Sequence, residues 1–371
     1  MSLRAQEVIP LARPVLGDEE EEAVRDVLRS GQLSLGPRVP AFEEAFAARL
    51  GAAHASAVSS GTAGLHLALR AVGVSDGDEV VTSPFSFVAS ANAAIYERAR
   101  PVFADIDPRT LNLDPAAAAA AVTPRTTAIL PVHIFGFPAD LPALEALGLP
   151  IVEDACEALG AVHADGVAVG ARGNPAAFGF YANKQLTTGE GGMVTTGDAA
   201  LKARIDSERN QGRAPDMGWL DHDRLGFNYR LSDIASAIGL AQLDRLDGML
   251  ASRSRVAGCY REALAGIEGL ELPCEDDGDR RGWFVFVVQL PRGTDRDATI
   301  RALRERGVQS KPYLPAIHLM SYYRETFGHR EGEFPVCEDV AARSVALPFF
   351  PELSEGQVER VAAALRAVLG R

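Results

Sequence analysis

The sequence predicts an α/β protein in which a large domain, a mostly parallel sheet between helices, is followed by a smaller C-terminal α+β domain. Two observations carry this expectation. From residue 51 to about residue 196, short apolar runs alternate with helix-like segments, the order expected when parallel strands are joined by crossover helices. From residue 231, LSDIASAIGLAQLDRLDGMLASRSRVAGCYREAL keeps apolar residues at helical spacing over a length that calls for a bend, so it reads as the bridge between two domains. Residues 1–245 are therefore expected to form the large domain with an N-terminal arm, and residues 246–371 the small one.

Taken in order, the acidic run Asp18-Glu19-Glu20-Glu21-Glu22 reads as a solvated helix start, where carboxylates complement the helix dipole. Strands are expected at Glu79–Thr82, 101–104, 127–133, 150–153, 176–180 and 193–195, with helices at 62–72, 86–96 and 141–147 between them. LNLDPAAAAAAVTP predicts a surface helix, because Asp114 is a good N-cap, Pro115 suits the first helical position and alanines are strong helix formers. In the small domain, GWFVFVVQL reads as a strand, TDRDATIRALRERG as a helix and SEGQVERVAAALRAVL as a terminal amphipathic helix. There is neither an internal repeat nor a Gly/Ser-rich linker.

Composition excludes several function classes. A chain of 371 residues, 47% hydrophobic, can bury one large core and a second, smaller one. No apolar run is long enough to span a membrane and MSLRAQEVIPLARP lacks a signal-peptide core, so a cytoplasmic protein without membrane partners is expected. Cys156, Cys259, Cys274 and Cys337 lie far apart with no CxxC pair, a pattern of reduced thiols rather than disulfides or a metal site. A formal charge of −13 argues against nucleic-acid binding; an anionic ligand would have to meet local arginines or helix N-termini.

Four features gain meaning together. SSGTAGLHLALRAVG opens an amphipathic helix at Ser60, Gly61 and Thr62, where free N–H groups and hydroxyls converge as a phosphate site; alone, this is also an ordinary N-cap. LPIVEDACEALGA ends a buried strand in Asp154, where open α/β sheets hold ligands. FGFYANKQLTTGEGGM holds Lys184 between a strand and a glycine cluster, a position that by itself also suits a solvated charge. TSPFSFVAS carries Phe87, which either fills core or presents its face to a flat ring. One ligand needs all four, a phosphate socket, a carboxylate for a pyridinium nitrogen, an aromatic platform and a Schiff-base lysine: pyridoxal 5′-phosphate (PLP).

The joint pattern resembles a known family. SSGTAGLHLAL, TSPFSFVASANA, PVFADIDPRTLNLDP, PVHIFGFPADL, IVEDACEALGA, FGFYANKQLTTGEGGMVTT and FNYRLSDIASAIGLAQLDRL occur in the order seen in DegT/StrS-type sugar aminotransferases, PLP enzymes of the aspartate aminotransferase fold (fold type I). The resemblance runs from about residue 10 to the C-terminal helix and implies a seven-stranded, mostly parallel sheet. It makes Lys184 the lysine that carries PLP covalently as an internal aldimine, and Asp154 the partner of the pyridine nitrogen. Ser60, Gly61 and Thr62 would hold the phosphate, Phe87 would stack on the ring, and Asn228 of GFNYR would reach the phosphate of a neighbouring subunit, so a homodimer with shared active sites is implied. Two positions depart from many relatives: Glu157 stands where glutamine approaches the phenolic oxygen, and Gly179 stands where a serine adds a phosphate ligand.

The resemblance further implies transfer of an amino group from an amino acid, L-glutamate, to a keto sugar carried on a nucleotide diphosphate, in amino-sugar biosynthesis. Arg230, with Arg209 and Arg213, is a candidate for the pyrophosphate; Tyr313 and His318 of KPYLPAIHLMSYY are candidates for contacts to the sugar, although a lone histidine also serves as a structural hydrogen-bond donor. His54, His66, His133 and His163 receive no catalytic role, and whether His133 lines the pocket is left open. The alternatives are an aminocyclitol aminotransferase and a non-catalytic regulatory protein that keeps the fold; the latter has no need of a Schiff-base lysine.

Overall fold

The computed structural model describes residues 8–214, 221–276 and 278–370. Nine strands are described: β1 (His54–Val58), β2 (Glu79–Thr82), β3 (Arg100–Phe103), β4 (Thr126–Leu130), β5 (Glu153–Asp154), β6 (Ala176–Gly179), β7 (Gly192–Thr196), β8 (Phe286–Gln289) and β9 (Ser344–Leu347). Thirteen α-helices accompany them among the described residues: α1 (Asp18–Ser30), α2 (Arg38–Leu50), α3 (Gly61–Ala71), α4 (Ala89–Tyr96), α5 (Pro115–Ala121), α6 (Leu141–Glu145), α7 (Ala199–Glu208), α8 (Asp233–Asp244), α9 (Leu246–Leu264), α10 (Arg296–Glu305), α11 (Ser321–Phe327), α12 (Pro335–Arg343) and α13 (Glu355–Leu369).

Seven strands lie side by side in the order β1-β7-β6-β5-β4-β2-β3, all parallel except β7, which runs against both β1 and β6. This is the mostly parallel α/β sheet that the sequence predicts. Between β4 and β5 the ladder thins to isolated bridges, Ile129 to Ile151 and Val132 to Asp154, and the strand expected at 150–153 shortens accordingly. Proline explains the thinning. Pro131 and Pro150 lend carbonyls to the ladder, accepting from Asp154 N–H and Ile129 N–H at 2.9 Å each, but neither has an N–H to return.

Both faces of the sheet are covered. On one, α3 approaches so closely that a Cβ on Gly64 would stand 3.1 Å from Val194 Cγ2 and 3.3 Å from Ala177 Cβ. On the other, Phe42 and Phe46 of α2 meet Phe180 and Phe178, with ring centroids 5.5 and 5.2 Å apart. The helix expected at 86–96 begins at Ala89, because Phe87 is drawn into a turn whose carbonyl accepts from Ser90 N–H. The acidic helix start is only partly solvated: Glu20 of α1 is 4% exposed and accepts from Gly17 N–H and Gln242 Nε2 at 2.7 Å each, so this acid anchors α1 to α8.

The helical stretch from residue 233 breaks at Arg245 (φ −100°, ψ 0°) into α8 and α9. Beyond the break, a second core gathers Tyr260, Trp283, Phe286, Phe349, Val361 and Leu365 around the antiparallel pair β8 and β9. Strand β9, whose SVAL sequence is too short to stand out, was not among the expected elements. Ile9 of the N-terminal arm joins this core, its N–H donating to Gly307 O at 2.9 Å. No helix among the described residues is long and apolar enough to cross a membrane, and no cluster of His, Cys, Asp or Glu among them has metal-binding geometry.

Behind the sheet lies a buried polar group. Ala139 N–H donates to His133 Nδ1 at 2.9 Å, so the proton of the neutral ring sits on Nε2, which faces Glu153 Oε2 at 3.1 Å. His163, 4% exposed with its ring 5.8 Å from His133, is pushed down to about 4, chiefly by burial. Its folded-state pKa lies below its unfolded value, so the unfolded chain binds the extra proton first. Stability is full above about pH 6.5 and falls as pH drops towards 4, by about 3 kcal/mol from this group. Urea denaturation of wild type and His163→Gln at pH 7, 5.5 and 4 checks this: the variant is expected to lose less stability across that window.

Candidate active site

The carboxyl ends of β5 and β6, the loop after β6 and the N-terminus of α3 surround a cleft of about 430 Å³. Open α/β sheets hold ligands at this edge because connecting loops diverge there and helix N-termini point into the gap. Ser60 caps α3, its Oγ accepting from Ala63 N–H at 3.1 Å, which leaves the N–H groups of Gly61 and Thr62 at the helix's open end. Two glycines permit the approach. A Cβ on Gly61 would stand 2.6 Å from Cys156 Sγ and 3.2 Å from Gly179 Cα; one on Gly192 would stand 2.7 Å from the carbonyl carbon and oxygen of Ser60.

Asp154 faces the cleft from the end of β5 and is 5% exposed. Ser90 Oγ donates to its Oδ2 at 2.6 Å and Cys156 N–H to its Oδ1 at 3.1 Å; Ser86 Oγ stands 2.7 Å from Ser90 Oγ. These bonds fix the carboxylate's orientation from behind. Lys184, in the loop after β6, has Nζ 3.7 Å from Glu157 Oε1 and 3.9 Å from the centroid of the Phe284 ring. Its ammonium is therefore held between an acid and an aromatic face, a cation–π contact.

Glu157 is 6% exposed, and its Oε2 accepts from Phe135 N–H at 2.9 Å. Burial pushes its carboxyl above the ordinary range, Lys184 and the Phe135 N–H pull the other way, and the charge of Asp154 adds to the rise. Phe135 adopts φ +51°, a left-handed conformation that costs a residue with a Cβ about 1–2 kcal/mol. That turn aims its N–H at Glu157.

Phe87 is 64% exposed and lines the cleft, so it does not fill core. Gly179 also lines the cleft, and a Cβ there would meet Cys156 Sγ at an ordinary 3.4 Å. The ring of Tyr313 packs edge-on to Phe135 and Phe284, at 5.7 and 5.9 Å, and burial with the nearby charge of Glu157 pushes its phenol well up. One cleft thus gathers Ser60, Gly61, Thr62, Phe87, Asp154, Glu157, Gly179, Lys184 and Tyr313.

Other candidates lie elsewhere. His318 is fully buried, with Nε2 3.0 Å from Glu338 Oε1 and its ring 4.8 Å from Phe334, and it does not line the cleft. Arg230 donates from Nη1 to Asn210 Oδ1 at 3.0 Å and Gln211 Oε1 at 3.3 Å, and Asn228 bridges to Asn210; neither reaches the cleft of its own chain. Arg209 is engaged by Glu43, Asp206 and the Ala57 carbonyl, and neither it nor Arg213 lines the cleft. Residues that sequence reasoning passed over also line it: Tyr181, Asn183, Glu190, Cys156 and Lys311. Tyr181 and Asn183 shortly precede the lysine within FGFYANK and Lys311 stands two residues before Tyr313, so proximity in the chain was the available signal.

Residues 14–366 match the DegT/DnrJ/EryC1/StrS aminotransferase family. The chain is 40% identical to the spore coat polysaccharide biosynthesis protein SpsC of Bacillus subtilis, covering 97% of each chain. It is also 40% identical to the GDP-perosamine synthase of Caulobacter vibrioides, covering 97% of this chain and 98% of that one. Among solved structures it is similar to DesV of S. venezuelae in complex with a ketimine intermediate, at 37% identity and a TM-score of 0.89 over 95% of each chain.

The glycine contacts yield a test of the cleft's construction. Gly192→Ala drives a Cβ into the Ser60 backbone and is expected to cost about 1–3 kcal/mol. Gly179→Ser meets only ordinary contact and is expected to change stability by less than about 0.5 kcal/mol. Urea denaturation of the two variants beside wild type measures both.

Proposed function

Because this chain belongs to the DegT/DnrJ/EryC1/StrS aminotransferase family, we propose that it moves the amino group of L-glutamate to a keto sugar carried on a nucleotide diphosphate, using pyridoxal 5′-phosphate. The observation that carries this reading is the meeting of Lys184, Asp154, Phe87 and the open end of α3 in one cleft. The residues present fit the cofactor. An exposed aromatic face, a carboxylate braced by two donors, a helix N-terminus cleared of side chains by Gly61 and Gly192, and a lysine beside them match a flat, phosphorylated, cationic ring. When bound, the cofactor supplies a carbonyl that links to amines and a conjugated ring that accepts the electron pair left when a Cα proton departs.

The chain's residues divide the remaining work. Gly61 and Thr62, with Ser60 shaping the turn, would bind the phosphate through N–H groups and a hydroxyl. Gly179 offers no further hydroxyl there. Asp154, held in place by Ser90 and the Cys156 N–H, would keep a proton on the ring nitrogen. Phe87 would cover one ring face and exclude water from it. Lys184 Nζ would take the proton from the donor's Cα and return it during transfer to the acceptor. Glu157, with Oε1 3.7 Å away, would orient that amine.

The anionic part of a substrate needs a cation. Lys184 and Lys311 are the lysines among the cleft's described lining residues, which include no arginine. Lys184 faces Glu157, while Lys311 Nζ lies 5.2 Å from the Tyr313 ring, so Lys311 would meet the substrate's carboxylate or diphosphate, with Tyr313 beside it. Asn228 and Arg230, remote from their own cleft, would serve the cleft of a second copy in a homodimer. Residues 1–245 and 246–371 would then be the cofactor-binding and smaller domains, the boundary at the Arg245 break.

The test is the visible spectrum of the purified protein with PLP, before and after L-glutamate, followed by nucleotide-linked keto sugars and keto-inositols as acceptors. A long-wavelength band that glutamate removes and a keto sugar restores is the expected result. Lys184→Ala is expected to lower turnover by at least about 10²–10⁴-fold. Bound PLP that never responds to an amino donor would sink the transfer reading. Lys311→Met is expected to raise KM roughly tenfold or more for the substrate whose anion it meets, with kcat nearly unchanged.

A further inference from the structure

Helix α9 buries a guanidinium that joins no ion pair among the described residues. Arg253 is 3% exposed; its Nη1 donates to the carbonyl of Phe284 at 3.0 Å and its Nη2 to the carbonyl of Lys184 at 3.3 Å. Its buried Nε has no hydrogen-bond partner, and its guanidinium lies 5.8 Å from the centroid of the Phe349 ring. Burial lowers it from the usual arginine value to about 10, an effect eased slightly by Tyr313. Burying a charge without an opposite charge costs several kcal/mol, and an apolar side chain of similar volume would avoid that cost.

Both carbonyls held by this fork belong to residues that fix one amine. One is the carbonyl of Lys184 itself; the other is that of Phe284, whose ring supports Lys184 Nζ at 3.9 Å. The guanidinium is planar with donors at fixed spacing, so it can set the distance between two backbone segments, which a single ammonium cannot. We propose that Arg253 is a positioning residue that locks the loop of Lys184 to α9 and to the segment before β8, and so fixes where the Lys184 amine stands. The inference rests on the reading of Lys184 as the reactive amine.

The experiment compares full-length wild type, Arg253→Met and Arg253→Lys. Reductive methylation of Lys184 in protein free of PLP, followed by mass spectrometry across a pH series, reads the amine's placement without any turnover. Urea denaturation reports folding, and kcat and KM are measured with PLP added. Arg253→Met is expected to fold, to show a changed rate and pH profile of Lys184 methylation, and to lose about 10²-fold in kcat with KM for the acceptor within about twofold of wild type. Arg253→Lys is expected to recover only part of each change. A folded Arg253→Met with wild-type methylation overturns the proposal, as does a kcat loss that merely tracks the unfolded fraction. If Arg253→Met does not fold, Arg253→Lys decides: altered methylation supports the proposal and wild-type methylation overturns it. Failure of the wild type to bind PLP through Lys184 would sink the functional reading instead, and the methylation comparison separates the two.

Discussion

No Cβ fits between β7 and the first turn of α3, and the geometry of the cleft follows from that close approach. With glycine at 192, the strand passes directly beneath the Ser60 backbone; with glycine at 61, the helix end settles against Cys156 and Gly179. Gly64, one turn on, lets the same helix lie against Val194 and Ala177. The N-terminus of α3 is thereby aimed across the ends of β5 and β6, where Asp154 and the Lys184 loop emerge. A protein with a formal charge of −13 has little general attraction for anions, so a local device of aligned N–H groups would be the physical means of holding one.

Strand alternation sorts the two acids of β5. Glu153 and Asp154 are neighbours in the chain, yet Asp154 opens on the cleft while Glu153 is fully buried against His133. The first carboxylate is braced by Ser90 and a backbone N–H and keeps lone pairs for a ligand. The second belongs to a buried polar group that ties the sheet to the backbone at Ala139 and at Gly170. A cleft-facing acid and a scaffolding acid therefore share a two-residue strand, separated only by which face each side chain takes.

Around Lys184 the protein gathers features that cost stability. Phe135 takes a left-handed backbone to present its N–H to Glu157, Glu157 is buried beside the lysine, and Arg253, with no ion pair among the described residues, brings a buried guanidinium to the Lys184 carbonyl. Each feature costs free energy by itself, and the three touch Lys184 or the acid beside it. Strain and buried charge concentrate where geometry matters more than stability.

Sequence by itself determined the fold class and the order of most elements, because strand and helix periodicity, caps and glycine-lined turns are local properties written along the chain. The Ser60 cap, the acid at the end of β5, Lys184 and the long helix that breaks at Arg245 were all legible this way. Tertiary structure alone decided what depends on distance between segments. It turned Phe87 outward, buried His318 against Glu338, kept Asn228 and Arg230 out of their own cleft, anchored Glu20 to α8 and brought Arg253 to the carbonyl of a residue 69 positions away. Burial and long-range hydrogen bonding are properties of the packed chain, and no local pattern encodes which face of a strand or helix another segment will cover.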